Sequence, residues 1–430
     1  MTHRILFAAS AAFLIHLIPS AQAQEEPARP AGPTMLSTAF SPDGLAEARL
    51  RKFEAQLDKA ARTDDFVGLA VAVVRHGQVE MLRTYGVTEI GGSSPVTPHT
   101  TFRIASLSKG FAATLAGMAM EEGLLAPDTP VSPYVPAYAL KGDAQKLVTV
   151  EELLSHRVGL PPNAYDNLLE AGVPVADILR RYRSVAPICR VGTCYAYQNV
   201  SYNIIGDVLA TVYGKPYEEI VRERIFEPLG MRDASLGRAG LSARGDWARP
   251  HARERLPDDP LSFTPWRAVD MSDAYYHVPA AGGVNASIAD MARWLAAQMG
   301  AAPDVLPPVA LDRIHAPLVE TKAETRRWRS LASRLTATSY GMGWRIYDYA
   351  GETVVNHSGG VEGYGAQIAF LPKQDIGVVI LSNTRAKRVW RILPAFLDAE
   401  LGLEDEDWLE LEHETADDAG ELEELTGAGK

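Results

Sequence analysis

The stretch FRIASLSKGF, residues 102–111, places Ser106 three residues before Lys109 at the predicted start of a helix. Side chains at positions i and i+3 share one face of a helix, so the two would be neighbours. A serine hydroxyl needs a base to act as a nucleophile, and a lysine amine becomes one when burial or a nearby cation lowers its pKa from about 10.4. The pair therefore predicts nucleophilic catalysis, with the free amide at the helix start available to a developing oxyanion.

A four-residue pattern of this kind also arises by chance, as an exposed serine and lysine on a helix surface. Ser-x-x-Lys occurs only once in the chain, and its flanks Ile104, Ala105, Leu107 and Phe111 predict a buried segment. Because a buried lysine is rare without a partner or a task, the flanks favour chemistry over chance.

A second candidate group contains Tyr197 and Asn199, which precede a predicted apolar helix. A phenol exchanges protons with a hydroxyl if positive neighbours lower its pKa, and an amide two residues on can hold a lysine and a substrate carbonyl. Tyr165 and Asn167 have the same spacing, but they lie in a polar, proline-flanked segment. We therefore favour Tyr197, for which a core tyrosine with a satisfied hydroxyl is the structural alternative.

The third candidate group follows a short predicted strand and consists of His357, Ser358, Gly359 and Gly360. Glycines on a strand let a ligand approach the backbone closely, while the histidine and serine offer donors to a carboxylate or carbonyl. Alone, the histidine is equally typical of a hydrogen-bonded sheet residue. Its ordinary pKa of about 6.5 predicts loss of charge near neutral pH, and hence weaker or pH-dependent carboxylate recognition.

The elements that must position these groups are strands at both ends of the chain and helices between them. Residues 66–74 and 79–85 predict a hairpin, and short strands recur between residues 342 and 381. Residues 124–280 show mostly helical patterns interrupted by proline and glycine. We predict an α+β fold, with one sheet built from both termini and a helical subdomain inserted at about 124–280.

The two ends of the chain are predicted to lie outside the catalytic domain, which we place at residues 40–403. Residues 1–23 combine Arg4, an apolar run and Ala21-Gln22-Ala23, the layout of a cleavable signal peptide. The apolar run is short for a membrane span, which needs about 20 residues. We therefore expect a secreted or periplasmic protein without a stable membrane span after cleavage.

Residues 24–39, rich in proline, alanine and glutamate, predict a linker. The acidic residues 404–430 predict a disordered tail, with Trp408 as the obvious anchor if the tail instead binds a partner. Two cysteines occur, Cys189 and Cys194, and export would permit a disulfide between them; two half-buried thiols are the alternative.

The overall charge excludes some function classes. The chain has 430 residues and a formal net charge of −12, and it lacks a basic cluster, which argues against nucleic acid as a partner. Its histidines are scattered and no metal-binding motif occurs. We expect neither a metal nor another cofactor.

Together and in this order, the three groups resemble the β-lactamase and penicillin-binding serine hydrolase family, specifically its class C β-lactamase and D,D-peptidase branch. That family carries S-x-x-K, then Y-x-N, then a K/H-T/S-G triplet on a strand at the sheet edge. The resemblance covers roughly residues 53–401 and implies an antiparallel sheet flanked by helices, with a helical domain opposite. Further similar segments are residues 153–161, 227–231, 281–284, 340–344 and 363–365.

The resemblance implies roles for the catalytic residues. Ser106 would be the acylated nucleophile, Lys109 and Tyr197 would share the general base and acid work, and Asn199 would position Lys109 and the substrate amide.

It also implies roles on the strand. His357 and Ser358 would bind the substrate carboxylate or carbonyl beside Gly359, and the backbone amides of Ser106 and Gly360 would form the oxyanion hole. His357 stands where class C β-lactamases usually carry lysine. A histidine at this position is more similar to some D,D-peptidases.

The implied substrate is a small molecule or peptide with a β-lactam or peptide amide bond. An esterase on the same fold would use Ser106 too, since no G-x-S-x-G motif occurs. A penicillin-binding sensor that is acylated once and stops is the non-enzymatic alternative.

Overall fold

A computed structural model describes residues 44–411 of the chain, except residues 329, 330 and 332. The predicted signal peptide and linker, and the part of the predicted tail beyond residue 411, lie outside the described residues. Within the described range, no helix has both the length and the apolar character needed to cross a membrane.

The strands of the described residues are β1 (Gly68–Arg75), β2 (Gln78–Gly86), β3 (Thr101–Arg103), β4 (Ser235–Leu236), β5 (His251–Ala252), β6 (Arg255–Leu256), β7 (Asp259–Phe263), β8 (Arg267–Ala268), β9 (Val284–Ser287), β10 (Val319–Glu320), β11 (Leu335–Tyr340), β12 (Arg345–Tyr349), β13 (Glu352–Val361), β14 (Tyr364–Leu371) and β15 (Ile376–Ser382). The α-helices are α1 (Gly44–Ala60), α2 (Ser108–Glu121), α3 (Val150–Leu154), α4 (Asp166–Glu170), α5 (Val175–Arg181), α6 (Ile204–Tyr213), α7 (Tyr217–Val221), α8 (Gly237–Ser242), α9 (Pro279–Gly282), α10 (Ile288–Gln298), α11 (Pro308–His315), α12 (Lys322–Arg327) and α13 (Lys387–Leu401).

One large sheet joins the two ends of the chain. Its strands lie in the order β10-β11-β12-β13-β14-β15-β1-β2, and every neighbouring pair is antiparallel. The N-terminal hairpin β1–β2 thus extends a sheet that is otherwise made from the last third of the described chain. The α+β prediction and the prediction of one sheet built from both termini are confirmed.

Strand β1 shows why this sheet reads as a continuous apolar run in the sequence. Successive side chains of a strand point to opposite faces of the sheet. The odd-numbered residues Leu69, Val71 and Val73 join a core that contains Phe53 of α1 and Phe396 of α13. The even-numbered residues join a second core against α2 and α10; they are Ala70, Ala72 and Val74. Because helices cover both faces, both sets of positions are apolar.

The third candidate group lies on strand β13, as the resemblance implied, and this strand runs past the end that local patterns predicted at Asn356. Strand β13 pairs with β12 up to Asn356 and then continues along β14 as far as Val361. His357, Ser358 and the two glycines are therefore ladder residues. The prediction ended the strand at Asn356, before glycines that normally weaken strands, but here a close approach of another segment requires Gly359.

The prediction of a disordered tail is wrong for residues 404–411, which lie against α13. Trp408 is buried, and its Nε1 donates to Asp398 Oδ2 at 2.7 Å. Arg388 Nε donates to the carbonyl of Leu409 at 2.6 Å. The folded unit therefore extends past the predicted boundary at residue 403, because the apolar side chains of Trp408 and Leu409 are buried.

Candidate active site

The nucleophile candidate stands on a tight turn between β3 and α2. Ala105 has φ 48°, a left-handed value that is costly for a residue with a Cβ, and a 3-10 turn over Ala105–Leu107 leads into the helix. Ser108 anchors the turn, because its hydroxyl donates to the carbonyl of Ala105 at 2.6 Å and accepts from the amide of Val284 at 3.0 Å. Ser106 is left partly exposed among buried neighbours.

Lys109 is fully buried one helical turn from Ser106. Its Nζ donates to Asn199 Oδ1 at 2.7 Å and to the carbonyl of Ala281 at 3.1 Å, and lies 3.4 Å from Ser106 Oγ. Burial lowers its pKa well below 10.5, and the carboxylate of Asp166 only partly opposes this. A neutral amine has two N–H groups and one lone pair. Since the first two partners are pure acceptors, the lone pair is left for the hydroxyl of Ser106.

Tyr197 completes the nucleophile's surroundings, with its side chain close to that of Ser106. Lys109 Nζ lies 4.6 Å from the centre of its ring, and the guanidinium of Arg345 lies 5.7 Å away. Burial nevertheless raises the pKa of Tyr197 above 10, because desolvation outweighs the nearby cation. The lowered pKa that proton exchange by this phenol would require is therefore not present, and the phenol keeps its proton at rest.

Asp166 is a member of the site that the sequence analysis set aside. It follows Tyr165, whose ring stacks on Tyr182 with centres 5.6 Å apart. The buried Asp166 instead accepts from Asn199 Nδ2 at 2.6 Å, so the amide of Asn199 bridges Lys109 and Asp166. Burial raises the pKa of Asp166 to about 6, against the opposing effects of Asn199 and Lys109. The rejected Tyr-x-Asn pattern contained the only signal for it.

Strand β13 passes directly beside the nucleophile. A Cβ at Gly359 would lie 2.4 Å from the carbonyl oxygen of Ile104 and 3.0 Å from the backbone nitrogen of Ser106. No other residue fits at this distance, so the glycine is what allows the strand to approach. The backbone of Gly359 and Gly360 therefore borders the same space as the amide of Ser106.

His357 takes part in a chain of hydrogen bonds in which each group donates to the next. The amide of Gln198 donates to His156 Nδ1 at 3.1 Å, which leaves the proton of neutral His156 on Nε2, 3.2 Å from Tyr340 Oη. At the other end, His357 Nδ1 donates to the carbonyl of Ser358 at 2.7 Å, so its Nε2 accepts from Tyr340 Oη at 3.0 Å. No role was predicted for His156 or Tyr340 from the sequence, although both lie in segments that resemble the family.

This chain changes the expectation for His357. Burial lowers its pKa well below 6.5, and the nearby charges of Arg345 and Lys109 act in the same direction. His156 is shifted in the same sense by its burial. The predicted loss of charge near neutral pH is therefore wrong, because His357 is already neutral there and both ring nitrogens have partners within the protein.

The two cysteines are joined in the structure by a disulfide between Cys189 and Cys194. The segment they enclose pairs with the turn that carries His156, through Gly192 N–H to the carbonyl of Arg157 at 2.8 Å. Just beyond it, Ala196 N–H donates to the carbonyl of His156 at 2.9 Å. The disulfide thus closes the loop that leads directly into Tyr197.

The structure brings the side chains of Ser106, Lys109 and Asn199 into one hydrogen-bonded group, with the ring of Tyr197 beside Lys109. The predicted strand residues divide between two sides, since side chains alternate along β13. His357 and Gly359 are on the side of the Ser106 turn, whereas Ser358 and Gly360 are on the other.

The chain is similar to known proteins over most of its length. The sequence model of the beta-lactamase family matches residues 50–399. A beta-lactamase of Pseudomonas fluorescens is 26% identical over 80% of this chain and 95% of its own length. The unguisins hydrolase ungD of Aspergillus violaceofuscus is 27% identical over 77% of this chain. The chain spans 61% of that enzyme and 58% of a second fungal unguisins hydrolase, about three fifths of their length.

Solved structures share the fold. The octameric penicillin-binding protein homologue from Pyrococcus abyssi superposes with a TM-score of 0.72 at 24% identity, covering 84% of this chain and 79% of its own. The D-alanine carboxypeptidase AmpC from Burkholderia cenocepacia gives a TM-score of 0.61 at 23% identity, covering 83% of this chain and 99% of its own.

Proposed function

Since this chain belongs to the beta-lactamase family of serine hydrolases, we propose that it hydrolyses a β-lactam or peptide amide bond through an acyl-enzyme on Ser106. The observation that carries the proposal is the environment of Lys109. Its buried amine has two fixed acceptors and a lowered pKa, which favours a neutral base beside the nucleophile. A mere surface Ser-x-x-Lys pair would have neither feature.

Acylation then has a defined course. Lys109 Nζ takes the proton of Ser106 as Oγ bonds to the substrate carbonyl carbon. The resulting oxyanion is stabilised by the amides of Ser106 and Gly360, and removal of one such donor typically costs about 10²–10³ in rate. Tyr197, which keeps its proton at rest, donates it to the leaving amine as the C–N bond breaks. The proton held by Lys109 then passes to the phenolate, and both groups are restored.

Deacylation uses the same groups with water in place of the amine. A water molecule gives its proton to this pair of residues, its oxygen bonds to the acyl carbon, and the ester bond to Ser106 breaks. Ser106 recovers its proton, and the product leaves as a carboxylic acid. The rate of this step separates a hydrolase from a sensor that remains acylated.

A side-by-side assay tests the proposal with a chromogenic cephalosporin, a D-Ala-D-Ala peptide and a short-chain nitrophenyl ester. We expect repeated turnover of the cephalosporin or the peptide by the wild-type protein. Turnover of the ester alone would contradict amide hydrolysis in favour of an esterase. One equivalent of acylation without further turnover would instead identify a sensor.

We also propose export, on the basis of the signal-peptide layout of residues 1–23. Expression of the full chain in a Gram-negative host, followed by N-terminal sequencing of the periplasmic fraction, tests this. A mature protein that begins at Gln24 is expected. Retention of the uncleaved chain in the cytoplasm would contradict it.

A further inference from the structure

The disulfide closes residues 189–194 into a small loop that is attached to a neighbouring turn at residues 156–159. Three backbone hydrogen bonds make the attachment, and their donors lie before, within and after the loop. They join Ile188 N–H to the carbonyl of Gly159 at 2.9 Å, Gly192 N–H to that of Arg157 at 2.8 Å and Ala196 N–H to that of His156 at 2.9 Å. The loop is therefore bound to the turn at both of its ends and in its middle.

The loop and the turn approach most closely at Gly159. This residue has φ 84°, in the left-handed region that favours glycine. A Cβ at Gly159 would lie 2.7 Å from the carbonyl oxygen of Cys189. The glycine thus allows the backbone of the first cysteine to lie directly against the turn, and the cross-linked loop has a single well-defined position there.

Tyr197 follows the loop by three residues and is positioned by the same turn. The amide of Gln198, the next residue, donates to His156 Nδ1 at 3.1 Å, and the rings of His156 and Tyr197 lie 4.4 Å apart, centre to centre. The carbonyl of Tyr197 accepts from the amide of Asn163 at 2.8 Å. The placement of the phenol therefore depends on how the loop and the turn are joined.

Ser106 and Lys109 are held by contacts of a different origin. The hydroxyl of Ser108 attaches the turn of Ser106 to β9, and the carbonyl of Ala281 holds the amine of Lys109. Asn199, the other acceptor for this amine, is itself held by a carboxylate of α4. Since these contacts do not involve the loop, its release would displace the phenol and leave the nucleophile and its base in place.

Burial contributes little to holding the loop. Cys189 and Cys194 are only half-buried, and Ile188, Arg190 and Thr193 are exposed. Segments with few buried contacts open locally at a small cost in free energy. A disulfide opposes such opening because it removes conformational freedom from the residues that it encloses.

We propose that the disulfide between Cys189 and Cys194 positions Tyr197 as proton donor to the leaving amine, so that the enzyme is fully active only when oxidised. The inference rests on the proposed function and adds a redox requirement to it. The two thiols pass two electrons and two protons to the disulfide of an exchange partner, which becomes a dithiol, and a reducing dithiol reverses the step.

Reactions that differ in their leaving group test the proposal with the full-length protein. Acylation by a fluorescent penicillin, or by the D-Ala-D-Ala peptide where that is the better substrate, breaks a C–N bond whose nitrogen must gain a proton. A short-chain nitrophenyl ester releases nitrophenolate, which leaves as an anion. Phenylboronic acid adds to an active serine and has no leaving group.

Each reaction is measured on the oxidised protein, after reduction with dithiothreitol and after reoxidation, with the free thiols counted by titration. The double variant Cys189→Ser/Cys194→Ser lacks the cross-link without a reductant. Arg190→Gln, at an exposed residue inside the loop, keeps the cross-link and is the matched control.

Reduction should lower the rate of amide acylation by about 10–100-fold, the effect of misplacing a reacting group by about 1 Å, and reoxidation should restore it. Ester acylation and the affinity for phenylboronic acid should change less than about threefold, since the nucleophile and its base are intact. The double variant should behave like the reduced protein and be insensitive to dithiothreitol, and Arg190→Gln should behave like the oxidised wild type.

Equal losses in all three reactions, or an unchanged rate of amide acylation after reduction, would overturn the proposal. Two free thiols in the native protein would also overturn it, as would unfolding of the reduced protein at the assay temperature, because the cross-link would then support the fold as a whole. These outcomes leave the acyl-serine function intact while the oxidised wild type still reacts. If it reacts with none of the probes, the proposed function fails and this inference fails with it.

Discussion

The helical side and the sheet side of the candidate active site differ in the ionisation of their side chains. On the helical side, α2 and the Tyr197 segment hold ionisable groups whose pKa values are shifted by burial and linked through Asn199. On the sheet side, β13 carries a histidine that is neutral and closed into a chain of hydrogen bonds. If the proposed mechanism holds, proton transfer and its pH dependence belong to the helical side, whereas the sheet supplies shape and backbone donors.

The largest expected effect follows from removing the base on the helical side. Lys109→Met keeps an unbranched buried side chain, one heavy atom shorter than lysine, and has no nitrogen lone pair for Ser106. We expect the acylation rate with a fluorescent penicillin to fall by about 10³–10⁴-fold, at the upper end of general base catalysis. Lys146→Met, at an exposed lysine, is the control and should react normally. A loss below tenfold in Lys109→Met would remove Lys109 from the base role.

On the sheet side, we expect the backbone position of β13 to affect the acylation rate more than any side-chain charge does. Gly359→Ala places a Cβ 2.4 Å from the carbonyl of Ile104, so β13 must move away from Ser106. We expect acylation to slow by about 10²-fold, because a misplaced oxyanion donor has an effect of this size.

The matched control is Gly245→Ala, whose new Cβ would meet nothing within 4 Å. It should retain the acylation rate within about threefold, since no backbone shift is needed. Similar losses in the two variants would contradict the close approach at Gly359.

The helical side should also govern the response to pH. The pKa of Asp166 is raised from 3.8 to about 6 in the folded protein, so its contribution to stability declines as the pH rises through that range. Asp166→Asn keeps an acceptor for Asn199 and lacks the buried charge. Its free energy of unfolding relative to wild type should rise by up to about 3 kcal/mol between about pH 4 and pH 7, measured by urea unfolding.

The same variant should shift the acid limb of the acylation rate to lower pH, because the carboxylate of Asp166 raises the pKa of Lys109. Asp177→Asn, at an exposed carboxylate, is a control that should change neither profile. A gap in stability that does not depend on pH would show that Asp166 does not titrate as described.

A smaller effect is expected from opening the hydrogen-bond chain on the sheet side. Tyr340→Phe leaves Nε2 of both His156 and His357 without its partner. We expect a loss of about 1–3 kcal/mol in stability, the cost of unsatisfied buried groups, and less than a tenfold change in acylation. The rate profile between about pH 6 and 8 should keep its shape, since neither histidine titrates there; a new inflection in that interval would contradict their neutrality.

The sequence predicted those parts of the molecule that local patterns determine. Strand β1, the hairpin to β2 and the helix that carries Lys109 each follow from runs of apolar residues and turn signals. The three motifs predicted Ser106 together with its lysine and tyrosine, because their residue types suit one reaction.

What the sequence did not predict depends on contacts between distant segments. Asp166 is paired with Asn199 across 33 positions, and Tyr340 contacts His156 across 184. The pKa directions of Tyr197 and His357 did not follow from the sequence, because both are set mainly by burial, which no local pattern reports.

The central claim is that Ser106 is the residue that becomes acylated. Mass spectrometry of peptides from the protein, quenched after brief exposure to a penicillin, tests it most directly, with Ser106→Ala as the comparison. We predict an adduct on the peptide that contains Ser106 in the wild-type protein and no adduct in Ser106→Ala. An adduct on another residue, or an undiminished adduct in Ser106→Ala, would contradict the account.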